Sequence, residues 1–168
     1  QYRVLQPVID YFSAETARDG NSFANVSLAA DNGWTTASVL NPELANYPVI
    51  WDPQCQPGEV PLTCEYRVVK PAIALIMLGT NDVAEMPVET YRANLEQIVQ
   101  ITVDRGTIPV LSTIPNRPGY DVAPYNQMIR SIAAAYDIPL WDYWQVMVNA
   151  PNSGISPDNI HPSLAPGG

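Results

Sequence analysis

The chain has 168 residues, 46% of them apolar, enough for one domain with a sizeable core. Its formal charge is −9 and Lys70 is its only lysine, which argues against a nucleic-acid-backbone binder, whose affinity comes from cations on phosphates. The longest uninterrupted apolar run, 72–78, is far too short to span a bilayer.

In chain order, "YRVLQPVIDYFSAETARDG" carries Val4, Leu5, Val8, Ile9 and Phe12 as a helical stripe closed by Gly20. Pro7 is tolerable there only near the first turn. "SFANVSLAA" (22–30) reads as a short strand, and "TTASVLNPELA" as a short helix after Gly33 that breaks at Pro42. Next comes "WDPQCQPGEVPLTCEY", rich in proline and glycine and read as a loop. Cys55 and Cys64 closing one loop suggest a disulfide and an oxidising compartment, the alternative being two free thiols. Zinc would want four ligands, and no histidine lies nearby.

"AIALIML" (72–78), between Pro71 and Gly79, has the profile of a strand buried on both faces of a parallel sheet. "PVETYRANLEQIVQITVDRG" opens at Pro87, repeats Tyr91, Leu95, Ile98 and Thr102 on one helical face, and stops at Gly106. "TIPVLST" is a strand. Tyr125, Met128, Ile129, Ile132 and Tyr136 make the next amphipathic stripe, and "IPLWD" is the last strand before a long irregular stretch. Helices alternating with strands predict an α/β fold around a parallel sheet in a single domain, 1–168.

Chemistry in such sheets gathers where strands end at their C-terminal edge. Three segments arrive there: "ADNGWTT", "GTNDV" and "SPDNIHPS". Each has a plain structural use. Gly33 can serve a turn, Asn81 and Asp82 can cap a turn or helix, and an isolated Asp-x-x-His specifies little. The last segment nevertheless holds His161, the only histidine, three residues after Asp158. Histidine is the usual proton carrier of a hydrolase.

Taken together, the glycine of "NGWT", the asparagine of "GTND" after an apolar strand, and "DNIHP" near the end resemble the SGNH/GDSL hydrolase family. The resemblance runs over essentially the whole chain. It implies a three-layer α/β/α, flavodoxin-like parallel sheet and a serine ester hydrolase acting on acyl or acetyl esters of carbohydrates or lipids; the cysteine pair adds the expectation of secretion, and no cofactor or metal is expected. Residue by residue, it makes His161 the general base, Asp158 its orienting partner, and the Asn81 amide and Gly33 N–H the oxyanion donors.

One block of the family is missing. No Gly-Asp-Ser occurs, and Ser13, Ser22, Ser27 and Ser112 do not have its position. The strand that should carry it is absent too, and so is the family's final helix, so the domain is expected to be incomplete at both ends. In a 2-1-3-4-5 sheet, loss of strand 1 strips two neighbours of a shared partner. A gap or another segment is therefore expected between 22–30 and 72–78. A noncatalytic protein on the same scaffold is the alternative.

Overall fold

The computed structural model describes residues 3–17, 20–21, 23–46 and 54–163. Its centre is α5 (Val88–Asp104), which begins behind Pro87 and buries Tyr91, Leu95, Ile98, Val99 and Thr102 along one face. Threonine is tolerated in that stripe because its hydroxyl is satisfied twice. Thr102 Oγ1 donates to Ile98 O at 2.7 Å and meets the Tyr66 hydroxyl at 2.8 Å. Beside it, α6 (Ala123–Ala135) buries Tyr125, Ile129 and Ile132.

Both helices lie against a parallel sheet of β3 (Ile73–Ile76), β4 (Ile108–Ser112) and β5 (Leu140–Trp141), in that spatial order. Ile73 stands opposite Ile108, and Leu111 opposite Leu140. Side chains alternate across the pleat, so Ile76 and Leu111 join the core with the helices. Ile73, Leu75, Met77, Ile108 and Trp141 on the other face are exposed, Leu75 by 72%.

The expectation that 72–78 is buried on both faces is thus corrected. Apolar composition records what a strand is suited to bury, whereas burial requires a covering layer. Among the described residues that layer stands on one face only. The first helix, α1 (Gln6–Ala14), starts with Pro7 in its first turn as expected but ends before Glu15, and none of its residues is buried.

Ahead of the core, β1 (Thr16–Ala17) and β2 (Gly20–Asn21) form a small antiparallel hairpin. The strand expected over 22–30 does not form at residues 23–30, and Ser22 lies outside the described residues. The Leu28 N–H donates instead to Glu65 Oε2 at 2.6 Å, so a side chain occupies this backbone group where a ladder would. Consequently β3 pairs with β4 along one edge and has no strand partner on the other among the described residues. A cavity of about 260 Å³ runs along that open edge, walled by Ser27, Ala29 and Ala30 opposite β3.

The short helix after Gly33 is α2 (Thr36–Val39), followed by a 3-10 turn over Pro42–Leu44. Cys55 and Cys64 are bonded. Cys64 belongs to a helix, α3 (Pro61–Val69), where sequence suggested only loop. Pro61 fits its first turn, where a missing N–H costs nothing. The short α4 (Asp82–Glu85) follows β3, and α7 (Tyr143–Met147) lies within the stretch expected to be irregular, capped by Asp142. No helix among the described residues is long and apolar enough to cross a membrane.

Candidate active site

At the C-terminal end of β3 the chain turns at Gly79, whose φ is +130°. A Cβ there would lie 3.0 Å from Ile114 Cγ2 and 3.1 Å from the Tyr91 hydroxyl, so a side chain would crowd both groups on a backbone that is already strained for any residue but glycine. The Tyr91 hydroxyl donates to Leu78 O at 2.9 Å, holding the strand end against α5. Asn81 follows at the head of α4 but makes no capping hydrogen bond. Its Nδ2 donates to Trp34 O at 3.0 Å, leaving a second amide hydrogen. The plain structural use of this asparagine, a helix cap, is not the one found.

Asp82 ties the same two segments together from beneath. It is fully buried, and its Oδ1 accepts from Thr36 N at 2.8 Å and from the Thr36 hydroxyl. Its Oδ2 has no hydrogen-bond partner among the described residues. Burial raises the carboxyl above its ordinary pKa, opposed by the Thr36 hydrogen bonds. Thr35 caps α2 in a reciprocal pair with Ser38. Just before it, Gly33 has φ +76° and open space where a Cβ would go, so the requirement is for backbone conformation and not for room. Its N–H makes no hydrogen bond among the described residues, unlike those of Asn32 and Trp34 beside it.

Asp158 and His161 form the second half. His161 Nδ1 lies 2.7 Å from Asp158 Oδ2. Asp158 Oδ1 accepts from the Ser156 hydroxyl at 2.6 Å and from the N–H groups of Ile160 and His161, each at 2.9 Å. The Ser156 hydrogen bond first, then His161 and these backbone donors, hold the carboxyl well below the usual carboxylate range. An anion is therefore fixed at Nδ1, which favours the tautomer that carries its proton there and turns the lone pair of Nε2 away from Asp158. The turn is closed by a bridge between Ile155 and Pro162, with Ser156 N donating to His161 O at 2.8 Å. Both side chains are exposed, His161 by 71%.

The four residues thus assemble as two pairs, with the Gly33 segment on Asn81 and Asp158 on His161. Among the described residues no hydrogen bond joins the pairs directly. Between them stands the loop after β4. Arg117 Nη1 donates to Thr80 O, and across a cavity of about 280 Å³ the same loop faces Asn152, Ser153 and Ile155, which lead into the Asp158 turn.

No serine hydroxyl among the described residues bonds His161. Ser13 Oγ donates to Ile9 O on exposed α1, Ser27 Oγ accepts from Ala29 N, and buried Ser112 donates to Thr113 O. Sequence reasoning offered Asp82 only as a cap and gave no role to Thr36, Ser156 or Arg117. Asp82 lies inside the quoted "GTND", and its value as an anchor depends on a burial that no local pattern signals.

A model of the GDSL-like lipase/acylhydrolase family matches residues 6–165. Among solved structures, one of TesA is 24% identical, covering 61% of this chain and 59% of that one, with a TM-score of 0.53. A GDSL-like lipase from Bacteroides thetaiotaomicron is 20% identical, covering 78% and 64%, with a TM-score of 0.55. The psychrotrophic esterase EstA from Pseudoalteromonas sp., inhibited by monoethylphosphonate, is 21% identical, covering 58% and 55%, with a TM-score of 0.50. The chain therefore spans between 55% and 64% of the length of these proteins, and at such identities the likeness is one of fold. No curated protein matches the chain.

Proposed function

The chain belongs to the GDSL-like lipase/acylhydrolase family, and on that premise we propose that it is a secreted serine ester hydrolase acting on acyl or acetyl esters of carbohydrates or lipids. The observation that carries this reading is the 2.7 Å contact between His161 Nδ1 and an Asp158 carboxylate kept ionised by its surroundings. A side chain oriented in this way serves as a base at Nε2. In the proposed reaction Nε2 takes the proton of a serine hydroxyl as its oxygen attacks the ester carbonyl. The resulting oxyanion accepts from Gly33 N–H and Asn81 Nδ2, each worth roughly 3 kcal/mol. Collapse expels the alcohol, protonated by His161, and a water activated by the same nitrogen releases the acid.

The serine is proposed to come from a segment outside residues 1–168, as the strand that fills the open edge of β3. The cavity of about 260 Å³ along that edge, and backbone groups there with no strand partner among the described residues, support the assignment. So does their position, since a strand in that place would end beside Gly33 and Asn81. Residues 1–168 are proposed to belong to a single domain of this fold. The Cys55–Cys64 bond supports an extracellular setting, because such bonds persist mainly in oxidising compartments.

A noncatalytic protein on this scaffold is the second reading, favoured by the lack of any serine bonded to His161 among the described residues. Fluorophosphonate labelling of the full-length gene product separates the two. The esterase reading expects one labelled serine, outside 1–168, and no labelling in His161→Ala. A full-length protein that takes no label and releases no acid from any ester is the noncatalytic one.

A further inference from the structure

We propose that the cavity between the loop after β4 and the turn before Asp158 binds an oxyanion-bearing group of the substrate, a carboxylate or phosphate next to the scissile ester, and that Arg117 supplies its charge. The proposal rests on the esterase reading for its substrate, while the anion site stands on geometry of its own.

Position comes first. Arg117 donates to the carbonyl of Thr80, the residue before Asn81, which places its guanidinium group beside the proposed oxyanion block. On the opposite wall, Ile155 begins the bridged turn that holds Asp158 and His161. A group in this cavity is therefore flanked by both halves of the site.

Charge is the second point. The chain carries −9, yet no residue lining the cavity has a carboxylate. Arg67, Arg92 and Arg130 pair with Glu59, Glu96 and Asp142, respectively. Arg117 has no carboxylate partner among the described residues. It lies over the Tyr120 ring at 5.0 Å and bonds a neutral carbonyl, and neither contact cancels its charge. A guanidinium group has five N–H donors in a fork suited to carboxylate and phosphate, and the Thr80 carbonyl engages only Nη1.

The rest of the lining also favours an acceptor. Asn116 uses its Oδ1 to accept from Trp144 Nε1 at 2.8 Å, which turns its amide hydrogens to other use. Ser153 adds a hydroxyl, and Asn152 and Ser153 both hold positive φ, +52° and +51°, in a turn that shapes the wall. Non-glycine residues in this conformation are costly and concentrate at ligand sites. At about 280 Å³ the space suits a group of several atoms and no long acyl chain.

Two measurements test the assignment in the full-length protein. Acetate release is compared for acetyl-lactate, acetyl-glycerol phosphate and neutral acetyl-glycerol. One anionic ester should exceed the neutral one in kcat/KM by about tenfold to a hundredfold, the effect of one hydrogen bond to a charged group. Whichever anion leads identifies carboxylate or phosphate as the source. Arg117→Gln should abolish the preference and Arg117→Lys should keep part of it, mainly through KM. The ratio between substrates is read so that a general loss at the Thr80 contact cancels.

Separately, N-acetylalanine, its neutral amide, glycerol phosphate and glycerol are titrated against the Trp144 indole N–H resonance. Saturable binding of an anion, lost in Arg117→Gln, is expected. If charged and neutral probes bind alike and charged and neutral esters react alike, or if a preference survives in Arg117→Gln, the proposal is overturned while the esterase reading stands. If anion binding depends on Arg117 but no serine takes the fluorophosphonate, the esterase reading fails and the anion site remains.

Discussion

Replacing Asp82 by alanine removes a carboxylate that accepts from two buried donors. Thr36 presents its N–H and its hydroxyl to Asp82 Oδ1, and both residues have 0% exposure. Without the carboxylate, the N–H at the start of α2 has no partner and the hydroxyl keeps only the weak acceptor Met86 Sδ at 3.7 Å. A buried donor left unpaired costs about 1–3 kcal/mol. Loss of the carboxyl volume adds to this. Relief of a buried carboxyl whose Oδ2 has no partner works against it. The net expectation is a loss of about 2–4 kcal/mol, or about 5–15 °C in Tm for a domain of this size.

Urea unfolding followed by tryptophan fluorescence measures that loss, and Asp82→Asn separates the hydrogen bond from the charge. Asparagine keeps an acceptor for Thr36 but has no proton to titrate. Because burial raises the Asp82 pKa, the folded state holds this proton more tightly than the unfolded one. Relative to Asp82→Asn, the wild type must therefore gain stability as pH falls through the folded pKa. The gain is complete below the ordinary value of 3.8. A change of less than about 0.5 kcal/mol in Asp82→Ala, within the range of ordinary surface substitutions, refutes the anchoring role. So does a wild type that loses stability relative to Asp82→Asn on acidification.

Reducing Cys55–Cys64, nine residues apart, should cost about 2–3 kcal/mol by freeing a short loop in the unfolded chain; intact mass with and without reduction and alkylation reports the bond, and two free thiols in native protein remove the case for an oxidising compartment. In the full-length protein Asp158→Asn should lower kcat by about 10³–10⁴ through loss of the correct histidine tautomer. Since the wild-type Asp158 carboxyl is held well below its usual range, its pH–rate profile should show no limb from this carboxylate at the ordinary value of 3.8, and such a limb contradicts the pairing.

Much of the framework was legible locally. The stripe of Tyr91, Leu95, Ile98 and Thr102 marked the helix that became the centre of the core, because a period near 3.6 residues is a property of the chain alone. The strands near 72–78, 108–112 and 140 were legible for the same kind of reason, as were the order of the three motif blocks and the Asp158–His161 pair, which a short turn brings together. Tertiary structure decided what those elements meet. It left Leu75 exposed on an apolar strand, made Asn81 an anchor to Trp34 in place of a helix cap, and buried Asp82 under Thr36. It also set Arg117 against Thr80, between two segments nearly forty residues apart. Hydrogen-bond partners and covering layers come from distant parts of the chain, so their identity is settled only when the fold closes.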